Sequence, residues 1–346
     1  MRTKRLLSCL LAAAFLLPAC NLRPLEDPSE IVRVRVAVNI RAVANVTAHV
    51  YNEHIPVPSL NTEMMRVLVY DPVSKDLVAQ SFISAKSVGE GGAQTFTGNL
   101  NISYGTFDLL VYNFDTPVTQ VAGENNEQTL LAFTNPVPES ILAKYRISKG
   151  EYDDFSINYE PDHLVVAREQ NLRVSPHDSV VVIHTEARTI IDTYYLQVYV
   201  EGMQYTSQAT AVISGLSSSN HFGVGKRTES PTTAVCFELN KGTDEKSGVK
   251  RDVLCAVFNT FGKVENADSD LLITFNVTDT AGQLLQFQFN LNDVFLTEDA
   301  IERHWLLIDK TIVVPKPEVD PGEGSVAGGF QPEVYDWNHE EGYIEL

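Results

Sequence analysis

The chain of 346 residues holds four cysteines and eight histidines. With a few paired carboxylates, these are the side chains from which a reactive or metal-binding site would be assembled. The histidines are scattered from His49 to His339 with no two spaced i,i+4, so no zinc helix of the H-E-x-x-H kind can form. Asp153-Asp154 and Asp268-Ser269-Asp270 group acidic side chains as a calcium loop would. They lack the glycine and distal glutamate that complete an EF-hand, and read as solvated loops. Ser214 in "ISGLS" is followed at once by Gly215 with no glycine placed before it, so it is not on a nucleophile elbow. Phosphate-binding and dinucleotide-binding glycine motifs are missing. The sequence therefore predicts a non-enzyme, with no catalytic, metal or cofactor-binding residue.

Cys20 has the most informative surroundings. Arg2, Lys4 and Arg5 precede an apolar run from Leu6 to Leu17, which is shorter than the roughly 20 residues needed to span a bilayer. The run ends in Leu17-Pro18-Ala19-Cys20, which resembles a bacterial lipobox. The expectation is a signal peptide over residues 1–19, removed to leave Cys20 as a lipidated N-terminus. Residues 20–30, broken by prolines, then act as a tether. One acyl chain holds a protein only marginally, whereas several hold it essentially for good. The alternative is an ordinary signal peptide with a chance cysteine.

Cys9 leaves with the signal peptide, so Cys236 and Cys255 are the cysteines of the folded body. They lie in the strand-like runs "TTAVCFELN" and "DVLCAVFNTF", separated by the polar "KGTDEKSGVK". A hairpin turning about Glu245 and Lys246 would set them face to face, within reach of a disulfide that an oxidising compartment permits. The other reading is two small apolar core residues.

The elements that must carry these residues are strands. "IVRVRVAVNI" (31–40) alternates, with Val32, Val34, Val36, Val38 and Ile40 on one face and Arg33 and Arg35 on the other. Similar runs follow at "AVANVTAHVY", "MRVLVYDP", "LVAQSFIS", "AQTFTGNL" and "GTFDLLVYNFD", separated by turn signals. Residues 122–160 read as an irregular excursion with one short helix over Glu139 to Tyr145, and "EPDHLVVAR" returns to strand. A second strand series starts near Ser179 and includes a hairpin about Asp279-Thr280-Ala281-Gly282. "TEDAIERHW" predicts a short helix capped by Thr297, before a last strand in "WLLIDKTIVV".

This spacing predicts an all-β protein of two tandem Greek-key sandwiches, residues 31–178 and 179–314. A Pro/Gly linker and terminal strand occupy 315–346. That tail ends on apolar alternation, so Trp337, Tyr343, Ile344 and Leu346 are candidates for a donor strand, either closing a sheet of this chain or offered to a partner. The net charge of -19 repels phosphate backbones and anionic headgroups, which argues against nucleic-acid partners and makes any membrane attachment covalent or apolar.

Taken together, the lipobox cysteine, "PLEDP", "RVRVAVNI", "GTFDLLVYNFDT", "YEPDHLVVAR" and "FLTEDAIERHWLLIDKTIVVPKP" resemble an uncharacterised group of Bacteroidales surface lipoproteins. That group is similar to the fimbrillin-like superfamily and, within it, to anchor subunits of the minor fimbrium. The resemblance implies transthyretin-like sandwiches, an outer-membrane lipid anchor on Cys20 with the body at the cell surface, and fimbrillin-like partners joined by strand exchange. In that scheme stalk subunits lose their first strand to an Arg-directed protease, while an anchor keeps its own. Arg33, Arg35 and Arg41 are then expected to be protected within a paired strand. Glu26 and Asp27 are a short version of the acidic export stretch of such lipoproteins. Asp178-Ser179-Val180 and Asp279-Thr280-Ala281 resemble their O-glycosylation tripeptide. The alternative function is a surface adhesin or glycan-binding lipoprotein.

Overall fold

The computed structural model describes residues 31–40, 62–89, 93–114, 116–148, 156–178, 180–246, 248–264, 271–317 and 334–335. Across these the regular structure is nearly all strand, with two six-residue α-helices and three single-turn 3-10 helices.

The N-terminal strands are β1 (Ile31–Ile40), β2 (Met65–Tyr70), β3 (Leu77–Ile83), β4 (Ala85–Val88), β5 (Gln94–Ser103) and β6 (Gly105–Asn113). An excursion carries β7 (Gln120–Ala122), β8 (Leu131–Phe133), α1 (Glu139–Lys144) and β9 (Ser156–Asn158) before β10 (Val165–Val174) and β11 (Val180–Thr189). Eight of these strands form one sheet, ordered β3-β2-β6-β10-β11-β1-β5-β4. It doubles over on itself. Val67, Val69, Leu109 and Val111 from one half share a core with Val34, Phe96, Leu100 and Ile183 from the other. Gly98 makes the closure possible, because a Cβ there would stand 2.2 Å from Ile83 Cγ2.

The second body uses β12 (Asp192–Glu201), β13 (Thr206–Ser217), β14 (Ser219–His221), β15 (Lys226–Arg227), β16 (Thr232–Glu238), β17 (Asn240–Lys246) and β18 (Val249–Thr260). β19 (Leu272–Asp279), β20 (Leu284–Asn290), α2 (Glu298–Arg303), β21 (Trp305–Val313) and β22 (Val334–Tyr335) complete it. One sheet runs β17-β18-β12-β21 and the other β22-β20-β19-β13-β16-β9. Leu196, Val198, Leu254 and Phe258 of the first meet Ile213, Phe237, Phe275 and Phe287 of the second. The rings of Phe237 and Phe258 stack at 4.7 Å across the sandwich. Thr297 caps α2 as expected, its hydroxyl accepting from the Ala300 N–H at 3.2 Å. The β19–β20 hairpin forms where the Asp-Thr-Ala-Gly turn predicts it. Asp279 Oδ1 accepts there from the N–H groups of Ala281 and Gln283, both at 2.8 Å.

The chain is divided differently from the sequence reading. β11 pairs in parallel with β1 and antiparallel with β10, so it completes the first sheet, and the second series opens at β12 rather than near Ser179. Residues 137–147 and β9 of the excursion pack on the second body. Leu142, Ile147 and Ile157 form a cluster with Val212, Ala234 and Cys236, and β9 pairs in parallel with β16. A fourth, small sheet draws on both halves, in the order β15-β14-β8-β7. Phe222 beside it packs with Tyr112, Leu130 and Ile191. Gly223 lies so close that a Cβ would sit 1.7 Å from the Glu127 carbonyl oxygen.

The disulfide expectation is also corrected. Cys236 and Cys255 are both free. Residues 241–246, expected to lie in the polar connection between the two runs, belong with Asn240 to strand β17, and it is this strand that forms the hairpin with β18. Leu239 carries the chain from one sheet to the other, so Cys255 lies opposite Asn240 and Gln197 while Cys236 lies opposite Val212. The two thiols sit on different sheets, which in a sandwich lie about 10 Å apart. Burial pushes the Cys236 thiol up to about 12.

Candidate functional site: a central first strand, the C-terminal sheet edges and a cleft between the bodies

β1 is a central strand. It pairs with β11 from Arg33↔Val180 to Ile40↔Ala187, and with β5 from Ile31↔Ser103 to Ile40↔Gln94. Val34 is fully buried while Arg33 and Arg35 are exposed. The alternation that sends one side chain inward and its neighbours outward is thus seen where it is described. The arginine side chains are reachable, but their peptide bonds are tied into ladders on both sides. A protease needs an extended, unpaired segment, so the expected protection of Arg33 and Arg35 has a structural cause. Arg41 and Cys20 lie outside the described residues.

The edges of the second body differ. On one sheet β21 pairs only with β12, leaving one side of a nine-residue strand open among the described residues. On the other sheet β20 spans seven residues, and the tail contributes β22 beside it, with Gln286↔Val334 and Phe287↔Tyr335 in parallel register. The tail therefore returns to its own sheet over two residues. Trp337, Tyr343, Ile344 and Leu346 lie outside the described residues, as do Asp153-Asp154 and Asp268-Ser269-Asp270. Among the described residues no cluster of His, Cys, Asp and Glu could hold a metal ion, and no helix is long and apolar enough to cross a membrane.

Between the bodies lies a cleft of about 800 Å³. Its walls are the outer face of β10 and β11, the start of β12, and the β14–β15 hairpin with Lys263 beside it. Five cationic side chains line it: Arg168, Arg188, Lys226, Arg227 and Lys263. Glu186, Asp192 and Glu229 supply three acidic ones. A cationic excess collects here in a chain of net charge -19. Arg227 Nη2 pairs with Asp192 Oδ2 at 2.6 Å. Arg168 Nη2 and Asn220 Oδ1 are buried without a hydrogen-bond partner among the described residues. Burial lowers the pKa of Arg168, and the charge of Glu127 partly offsets this.

A polar cluster on the neighbouring face fixes the excursion that carries β7 and β8. Glu124 accepts from Arg66 Nε at 3.1 Å and Nη2 at 2.8 Å, and also from the Tyr112 hydroxyl. Lys75 pairs with Asp108 at 2.6 Å and with Glu127 at 3.0 Å. On the far side Glu160 Oε2 accepts from the Asn259 N–H at 2.9 Å, tying the excursion to β18. The sequence reading singled out none of the cleft residues. They come from segments far apart in the chain, and the adjacent Lys226-Arg227 in an acidic sequence is the one local signal that points to them.

Residues 41–238 match the family model described as a domain of unknown function, DUF5119. The chain belongs to the DUF5119 family. This DUF5119 chain is similar over nearly its whole length to a Bacteroides ovatus protein named "Putative fimbrium anchoring subunit Fim4B". The two are 20% identical, with 97% of this chain and 96% of that protein covered. Its fold is shared with the crystal structure of a Bacteroides ovatus protein described as a "putative adhesin". The TM-score is 0.56 at 17% identity, covering 82% of this chain and 93% of that one. The fimbrial anchor protein Mfa2 of Porphyromonas gingivalis aligns with a TM-score of 0.46 at 13% identity, over 81% and 90% of the two chains. The DUF5119 chain is thus an all-β protein that shares its fold with that crystal structure and is similar in sequence to a protein named as a "putative fimbrium anchoring subunit".

Proposed function

We propose that this protein is a lipid-anchored outer-membrane subunit that holds, or forms part of, a fimbrium-like assembly at the cell surface through β-strand complementation. The observation that carries the reading is the position of β1, paired on both sides in the middle of its sheet. A subunit that keeps its own first strand has no vacant slot there to receive a neighbour's. Its chain also remains continuous with the tether and Cys20. Growth then has one direction left, through the C-terminal body. Sheet edges bind added strands through main-chain hydrogen bonds, with alternate side-chain pockets fixing the register. The edge of β20 is met by two residues of the tail, and the outer side of β21 is open among the described residues. A longer incoming strand would satisfy more of either ladder. The near full-length similarity to the Bacteroides ovatus protein supports the same role.

The test is affinity purification from native cells of the full chain and of a form lacking residues 330–346. Fimbrillin-like subunits should be recovered with the full chain and lost with the truncated one; an unchanged partner profile contradicts the proposal. Cys20→Ala should move the protein from the membrane to the soluble fraction, and retention in the membrane contradicts the lipid anchor.

A further inference from the structure

The cleft between the bodies is not called on by the strand complementation proposed above, yet it is built like a ligand site. Its volume of about 800 Å³ lies within the range usual for small-molecule pockets. Two of its polar groups have no hydrogen-bond partner among the described residues. Arg168 Nη2 is a buried donor without an acceptor, and Asn220, only 7% exposed, has a buried Oδ1 without a donor. Buried polar atoms are nearly always hydrogen-bonded, and each exception costs free energy until something supplies the missing partner. The two exceptions line the same cleft and ask for opposite things: one needs an acceptor, the other a donor.

The surroundings narrow the class. Arg188, Lys226 and Lys263 add positive charge around Arg168, so the acceptor is an anion. Sulfate would satisfy the arginine but has no donor to give Asn220 Oδ1. Glu229 in the lining likewise favours a ligand that donates hydrogen bonds as well as accepting them. An extended acidic peptide would need a run of main-chain edge, and the edge strand at the cleft, β15, is two residues long, with Arg227 already paired to Asp192. A sugar acid carries a carboxylate and several hydroxyls on one compact body.

We propose that the cleft binds an acidic saccharide, with its carboxylate at Arg168 and a hydroxyl at Asn220 Oδ1. The purified full-length chain is titrated by calorimetry with three probes. These are a glucuronate–N-acetylglucosamine disaccharide, the uncharged N,N′-diacetylchitobiose, and an acidic tripeptide. Saturable one-to-one binding of the glucuronate disaccharide is expected, with the uncharged disaccharide and the tripeptide at least about tenfold weaker. Arg168→Gln and Lys263→Gln should each weaken the glucuronate disaccharide, by about tenfold and severalfold respectively. Circular dichroism confirms that each variant is folded, and Lys263→Gln decides the matter if Arg168→Gln is not. No binding of the glucuronate disaccharide, equal binding of the uncharged one, or tighter binding of the tripeptide would overturn the proposal. So would unchanged affinity in the folded variants.

Discussion

Arg227 Nη2 lies 2.6 Å from Asp192 Oδ2, and the arginine reaches it across Gly262. Asp192 opens β12 and is 6% exposed, whereas Arg227 belongs to the small sheet and is 38% exposed. The pair therefore ties the small sheet to the junction between the two bodies. Gly262 is needed twice. Its φ of +105° is one that other residues rarely adopt, and a Cβ there would stand 2.4 Å from Arg227 Cζ.

Gly262→Ala should accordingly lower stability by about 1–3 kcal/mol, the range for strain at a special backbone position. The double substitution with Arg227→Ala should cost less than the sum of the two single changes, because the clash goes with the side chain. Thermal denaturation of the four proteins in the cycle measures this. Strict additivity would show that Arg227 does not press on residue 262.

Glu124 joins the excursion to β2 and β6 through Arg66 and Tyr112. Glu124→Ala should cost about 1–3 kcal/mol, since it leaves a mostly buried guanidinium and a phenol without their acceptor. Amide hydrogen exchange should accelerate over residues 120–133, while the β12–β18 ladder keeps its protection. Uniform acceleration throughout the chain would argue against a local latch.

The half-buried Glu160 gives stability a pH dependence. Burial pushes its pKa from 4.5 up to about 7, against the opposing pull of the Asn259 N–H. The folded state therefore keeps this proton to higher pH than the unfolded state does. Its contribution is complete below about pH 4.5 and is lost as pH rises through about 7. Glu160→Gln, which cannot ionise, should raise the melting temperature by roughly 2–4 °C at pH 8 and change little at pH 4.5. His304 slopes the other way. Burial lowers its pKa, so its contribution is present above the unfolded value of 6.5 and fades as pH falls below it. An equal effect of Glu160→Gln at both pH values would show that the carboxyl is not the titrating group.

Labelling tests the state of the two free thiols. Thiolate is the reactive form, and the Cys236 pKa near 12 keeps that form scarce. Mass spectrometry after brief alkylation of the folded protein should find Cys236 unmodified, with both Cys236 and Cys255 modified once the chain is denatured. Reductant should leave the melting temperature unchanged. A Cys236–Cys255 disulfide peptide from non-reduced protein would refute the arrangement of β16, β17 and β18.

Period-two alternation and turn chemistry determined, without coordinates, that this chain is all-β, that residues 31–40 form a strand, that Asp279 to Gly282 closes a hairpin and that Thr297 caps a helix. Each is a local property: the pleat sends alternate side chains to opposite faces, and a turn or cap is complete within a few residues. Which strands became neighbours was not local. The run at 180–189 reads the same whether it pairs with β1 or opens a second sandwich, because alternation records that one face is buried and not what covers it. The polar run at 240–246 could be strand because β17 is an edge, where exposed side chains cost little, and this one strand parted the two cysteines. Arg168, Asn220, Arg227 and Lys263 have no shared pattern in the chain. Only the packing of the small sheet against β10 and β11 brings them to one cleft, since charge and hydrogen-bonding capacity act through space and not along the sequence.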